Sequence, residues 1–490
     1  MQESRQHHQR IAPLIDLERR LLKARVARRD VMAQRSGEQL DYALRLARVG
    51  RIAAHGHDID AFDDVAPFRL WLLDQVERVA PAEGGGEIDW AGLHLLLPRL
   101  RGWVERTRSA LLRRHEARLG EPDLERELRE RQLVLALGGG GGSGYAHLGL
   151  FAVIAELGIN PALMVGSSMG ALMGLFRSLV REYDAVAMAF ALPGPSAYPR
   201  IFSPYRGDSR FGFPGAFELK LRGVAEQLAR ETLGHGIPPF AELPIPLRVI
   251  ATGLRTGINL ALSSVEEEIG RANKSLTPLA MRRRMGLLFG VMRTMVDNPR
   301  FLSRIVFGGD DDLRDFDVID AVGFSCAVPG MLHYDCYDPG TASARTLTEL
   351  CSDRHYVRLT DGGIVSNVPA RAAWDAVQEG DLGSRNAFIL GLDAFAPLPQ
   401  HLPNLPFFPA QRLAARFVAL DRPFTDYLVT WRQPPSPLDL LQSNQAREKT
   451  LTRSRQQLAP LRPLLELALR RLPPWPALRD EDAGAHTYLG

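Results

Sequence analysis

The stretch GSSMG at residues 166–170 places Ser168 between Gly166 and Gly170, a G-x-S-x-G spacing. The residues before it, PALMV, are apolar and strand-like, and ALMGLFRSLV after it has helical periodicity. A serine at a sharp strand-to-helix turn has its hydroxyl lifted clear of the sheet, as a nucleophile requires. The flanking glycines permit that turn, and the helix that follows turns its N–H groups and positive dipole end toward the hydroxyl. Ser167 occupies the x position, which leaves Ser168 as the candidate nucleophile. Taken alone, the pentapeptide is a weak signal, since an ordinary turn can also carry it.

Five consecutive glycines, Gly138 to Gly142, precede this element by a strand and a helix. Three devices use such bare backbone. Gly139, Gly141 and Gly144 satisfy the dinucleotide fingerprint G-x-G-x-x-G, but the next strand ends in MVGSSMG, without the acid that would hold a ribose. A phosphate-binding P-loop needs Lys and then Ser or Thr after its last glycine. Here Tyr145 and Ala146 follow Gly144. An oxyanion hole needs only main-chain N–H groups converging where side chains would obstruct them. That device requires a nucleophile close by, and Ser168 supplies it.

A serine nucleophile needs a base. The downstream histidines His235, His333, His355, His401 and His486 are not in glycine-marked turns of the kind a catalytic triad uses. Asp361 is different, because it ends the apolar run VRLTDG and is followed by Gly362 and Gly363. A carboxylate there can reach across the carboxyl edge of a parallel sheet. The plainer reading is an Asx-type turn. A free aspartate, with a pKa of about 3.9, is a weak base for serine; burial beside a dry pocket is expected to raise it.

These residues need a scaffold, and the chain of 490 residues is long enough for two or three domains. Residues 1–131 have helical periodicity, broken at APAEGGGE. From Leu133, short apolar runs (LVLAL, PALMV, LRVIATGL, VRLTDG, AFILGLDAF) alternate with helical segments, the pattern of a mostly parallel sheet covered on both faces. Residues 399–490 return to helix, interrupted by prolines. Hydrophobic residues make up 45% and charged residues 24% of the chain, as in soluble globular proteins. A net charge of +3 does not suggest nucleic acid as a partner. The dense arginines near the N-terminus are offset by nearby acids, as on a solvated helix face. Three cysteines without framework spacing fit a reducing compartment, and no metal-ligand spacing occurs. MQESRQHHQR has no apolar core and is not a secretion signal. The uncharged stretch 132–155 is broken by glycines, which disfavours a membrane span.

In this order, GGGGGSGYAHLG, GSSMG and DGGIVSNVP resemble the patatin-like phospholipase family over roughly residues 131–398. PIPLRVIATGLRTG (244–257) is similar to the family's central strand, and AVGFSCAVPGMLHY (321–334) to its Ser/Ala-rich segment. The resemblance implies a three-layer α/β/α domain at 132–398, flanked by helical regions at 1–131 and 399–490. It implies a Ser168–Asp361 dyad without histidine, and an oxyanion loop containing Gly139, Gly140, Gly141 and Gly142. Gly144, His147, Gly166, Gly170, Gly362 and Asn367 match supporting positions. Lipid ester hydrolysis, no cofactor, a cytoplasmic location and peripheral membrane contact are the corresponding expectations. A neutral-lipid esterase or a lipid-binding pseudoenzyme stand as alternatives. The family pattern usually has Arg or Lys after the glycine run, whereas this chain has Ser143. The basic, Met-rich segment 281–296 reads either as core packing or as an interfacial lid, and LPNLPFFP (402–409) as a weaker membrane contact.

Overall fold

The computed structural model describes residues 2–28, 30–81, 86–205, 207, 209–257, 290, 293–295, 297–397 and 408–479. The segments 281–296 and 402–409 therefore fall largely outside the described residues. By contacts the chain forms two compact units. Their boundaries differ from three consecutive segments. One unit joins residues 1–133, 374–388 and 460–490, and the other joins 134–373 and 389–459.

The first unit is built on long amphipathic helices, among them Gln34–Arg48, Phe62–Val79 and Trp90–Arg114. Their apolar faces meet around Leu40, Leu44, Phe68, Leu72 and Val104, all fully buried or nearly so. It also contains a hairpin that helical periodicity does not reveal. Strands β1 (Arg51–Ala54) and β2 (His57–Asp60) pair antiparallel around a turn with His55 and Gly56 at positive φ. The C-terminal residues belong here for a specific reason. Arg45 donates hydrogen bonds to the carbonyls of Leu128, Arg129, Ala468 and Arg470, at 2.8–3.2 Å. These are helix-end and loop acceptors that burial would otherwise leave unpaired. Glu18 is buried between Arg131 and Arg48. Burial alone would raise its pKa, but the two guanidiniums outweigh that and hold its carboxyl at about 2.

In the second unit the strands are β3 (Gln132–Leu137), β4 (Leu163–Ser167), β5 (Phe202–Pro204), β6 (Phe217–Leu219), β7 (Leu247–Arg255), β8 (Leu302–Phe307), β9 (Leu332–His333), β10 (Tyr356–Asp361), β11 (Ala387–Asp393) and β12 (Tyr427–Thr430). The main sheet runs β10-β7-β4-β3-β11-β12, with β8 also on β7. β3, β4, β7 and β11 are apolar and almost wholly buried, as parallel strands covered on both faces must be. The pairs β3–β4, β4–β7 and β11–β12 are parallel; β8 and β10 are antiparallel to β7. β12 lies in the region read from sequence as helical, and it extends the sheet edge instead.

The registers on β7 bring two distant residues together. Ile250 pairs with Ser167 of β4 and Val306 of β8, and Ala251 with Asp361 of β10 and Ile305 of β8. A strand residue has one partner on each side, so β8 occupies one side of β7. β4 and β10 share the other, arriving from opposite directions. Their carboxyl ends meet at adjacent β7 positions, which places residue 168 beside residue 361.

Candidate active site

Ser168 links β4 to the helix Met169–Ser178 with φ 52° and ψ −129°. A non-glycine residue pays about 1–3 kcal/mol for such a conformation. The surroundings impose it. A Cβ on Gly166 would lie 2.5 Å from Ala171 Cα, and one on Gly170 would press into the Leu137 and Gly138 backbone. Gly170→Ala is therefore expected to destabilise the protein by roughly 1–3 kcal/mol, the usual cost of overpacking. Denaturant unfolding measures this directly; an unchanged midpoint would show that the turn is slack. Ser325, fully buried, fastens the turn to the sheet. The Ser168 N–H donates to Ser325 Oγ (2.8 Å), whose hydroxyl donates to the Ile250 carbonyl (2.6 Å). Sequence reading assigned Ser325 no role, since the contact joins residues far apart in the chain.

Asp361 is 6% exposed. Its Oδ1 accepts the Gly363 N–H at 2.7 Å, and its Oδ2 is buried without a hydrogen-bond partner. Burial is the largest influence and raises its pKa from 3.8 to about 6, against smaller lowering effects of the neighbouring Ser168 side chain and the Gly363 amide. Removal from water thus puts this carboxyl in the range useful to a base at neutral pH.

In the glycine run the N–H groups are unequally committed. Gly138 N–H donates to the Leu392 carbonyl, Gly139 N–H to the Asn367 carbonyl and Gly142 N–H to the Pro437 carbonyl, at 2.9–3.2 Å. Gly140 and Gly141, with φ of 140° and 55°, face the same cavity as Ser168 and donate to no acceptor among the described residues. Of the four glycines singled out in the sequence, these two hold free amides, and the outer two anchor the loop. Only glycine adopts the first of those conformations readily.

The supporting positions fall into place around this frame. His147 Nε2 is 2.8 Å from the Gly138 carbonyl, so Nε2 carries the proton; Nδ1 is buried without a partner. Burial lowers its pKa to about 4, keeping it neutral. Gly144 packs against Met169, and Gly362 against the Ile250 carbonyl. Asn367 lies between the glycine loop and the DGG turn, where a side chain on Gly139 or Gly363 would come within about 3 Å of its Oδ1. Among the described histidines none lines the cavity; His333, the most buried of those downstream, is held by the Phe213 carbonyl and Tyr337.

The cavity beside Ser168 is apolar. Met173, Phe176, Phe202, Leu219, Val224 and Leu332 form much of its wall, and among the described residues no Lys, Arg or His lines it. β5, β6 and β9, a separate three-stranded sheet, carry part of that wall. Among the described residues no group of three or more His, Cys, Asp or Glu could hold a metal ion. None of the described helices is long and apolar enough to cross a membrane.

A three-layer α/β scaffold presenting a strained serine at the carboxyl edge of its sheet, over an apolar cavity, defines a class of acyl-group hydrolases. Comparison with known families narrows it. Residues 135–374 match the model of the patatin-like phospholipase family, and this segment is a patatin-like domain. The family supports lipid acyl hydrolase activity in general.

Proposed function

We propose that this protein hydrolyses carboxylic ester bonds of membrane phospholipids or lysophospholipids through a Ser168–Asp361 dyad. The observation that carries the reading is the pairing of two uncommitted amides, Gly140 and Gly141, with Ser168 and Asp361 around one apolar cavity. The acyl chain occupies the cavity and presents its carbonyl carbon to Ser168 Oγ. Asp361 accepts the hydroxyl proton as the bond forms, and the amides receive the developing oxyanion. The same proton then passes to the departing alkoxide. Water, deprotonated by Asp361, then attacks the acyl carbonyl; the Ser168 Oγ–acyl bond breaks, Oγ takes the proton back from Asp361, and the fatty acid leaves. The Ser168 N–H is held by Ser325, which leaves the oxyanion to the glycine loop.

An apolar wall suits an acyl chain better than a charged headgroup. Release of fatty acid from phosphatidylcholine, lysophosphatidylcholine and triacylglycerol, compared side by side, tests the substrate class. Turnover of triacylglycerol alone would replace the phospholipid reading with the neutral-lipid one.

Leu438 both lines the cavity and is 51% exposed, so it marks the mouth. An apolar side chain there suits a lipid surface. Leu438→Asp is expected to lower hydrolysis of phospholipid vesicles at least ~10-fold more than hydrolysis of a soluble short-chain ester. An equal loss on both substrates would remove the case for membrane contact at this rim.

A further inference from the structure

The glycine loop is held by a stretch of chain nearly 300 positions away and outside the segment that matches the family. Gly142 N–H donates to the Pro437 carbonyl at 2.9 Å, Ser143 Oγ to the Pro435 carbonyl at 2.9 Å, and the Tyr145 hydroxyl to the Leu440 carbonyl at 3.1 Å. The fit is close, since a Cβ on Gly142 would lie 2.5 Å from the Asp439 carbonyl oxygen. Three prolines, Pro434, Pro435 and Pro437, stiffen this strap, and the Asp439 N–H closes a turn onto the Ser436 carbonyl at 3.0 Å. Pro437, Leu438, Leu440 and Leu441 then continue as cavity wall.

The strap leads into the helix Asn444–Leu458, which Ser443 caps through the Ala446 N–H. The first buried side chain of that helix is Arg447, 1% exposed. Its Nη1 donates to the carbonyls of Gln442 (2.7 Å) and Pro193 (2.9 Å), and Nη2 to the Asn444 side chain. The Tyr145 side chain lies within its electrostatic reach. Every one of these acceptors is neutral, and its Nε is buried without a partner. Asp439, whose charge acts on Tyr145, does not pair with Arg447. A buried guanidinium without a counter-anion is expensive. Where the family pattern carries a basic residue, this chain has a fully buried neutral hydroxyl.

We infer that residues 435–447 replace the missing basic support of the loop. The Ser143–Pro435 and Gly142–Pro437 bonds fix the directions of the Gly140 and Gly141 amides. Arg447, acting through Tyr145 and the carbonyls of Pro193 and Gln442, is a positioning residue that also brings the positive charge. This rests on the proposed Ser168 chemistry.

The test uses the full chain with Arg447→Gln, Arg447→Lys and Ser143→Ala, and Lys449→Gln, exposed on the same helix, as a control. Readouts are kcat and KM on p-nitrophenyl octanoate, the rate of fluorophosphonate labelling, and thermal melting. The expected result for Arg447→Gln is a fall of about 10- to 100-fold in kcat and labelling rate, with KM within about twofold, on the scale of a weakened oxyanion hole. Arg447→Lys should recover much of that loss because the charge returns. Ser143→Ala should lose about 10-fold, and the control should match wild type. A folded Arg447→Gln with wild-type kcat overturns the inference, and so does a Lys variant no better than the Gln variant. If Arg447→Gln does not fold, Ser143→Ala decides: wild-type kcat overturns, a selective kcat loss at unchanged melting supports. A wild-type protein that neither labels nor hydrolyses removes the Ser168 reading and this inference together; an active wild type with insensitive variants removes only the latter.

Discussion

Ser168→Ala is expected to reduce ester hydrolysis by about 10³-fold or more, because it removes the hydroxyl that would form the acyl-enzyme. The same change should abolish fluorophosphonate labelling. Ser167 is the internal control: its hydroxyl is fully buried and without a hydrogen-bond partner, one residue before the turn. If labelling persists in Ser168→Ala, the nucleophile is elsewhere. Ser168→Gly separates catalysis from folding. The φ of 52° and ψ of −129° strain a serine but not a glycine. Ser168→Gly should therefore be inactive yet more stable than wild type by about 1 kcal/mol. Equal or lower stability would mean that the turn is relaxed and the strain argument fails.

Much of this arrangement was legible because its signals are local. A buried parallel strand is a short apolar run, an elbow is a serine between small residues, and an acid before two glycines ends a strand. β3, β4, β7, β10 and β11 lie where those runs fall. The features that escaped notice depend on partners far along the chain. β12 is four residues long, too short to assert itself, and becomes a strand by pairing with β11. Ser325 looks like any small helical residue until the Ser168 amide is set beside it. The selection of Gly140 and Gly141 from a uniform glycine run depends on the Asn367 and Pro437 carbonyls, which no pattern within the run encodes. Arg447 sits in a polar helix of low amphipathicity among several arginines. Its burial follows from Pro193 and Gln442, which come from different parts of the fold.

Asp361→Asn is expected to move activity and stability in opposite directions. Loss of the base should lower kcat by about 10³-fold, while the amide can still accept from the Gly363 N–H. For stability the sign follows from the raised pKa. Below 3.8 both folded and unfolded chains hold the proton, and Asp361 makes no contribution. Between 3.8 and about 6 the folded chain keeps a proton that the unfolded chain has released, so stability falls as pH rises. Above about 6 the buried carboxylate costs roughly 3 kcal/mol relative to the unfolded state. Asp361→Asn should thus be more stable than wild type at pH 8, by up to that amount, and indistinguishable near pH 4. Asp393 is buried to a similar degree and its pKa is also raised to about 6 by burial, so part of the slope remains in the variant. Activity separates the two carboxyls. In wild type kcat/KM should rise with pH around 6 and then level off, and that limb should survive Asp393→Asn, since Asp393 does not line the cavity. A limb that follows Asp393 instead, or an Asp361→Asn protein of wild-type activity, would place the base elsewhere.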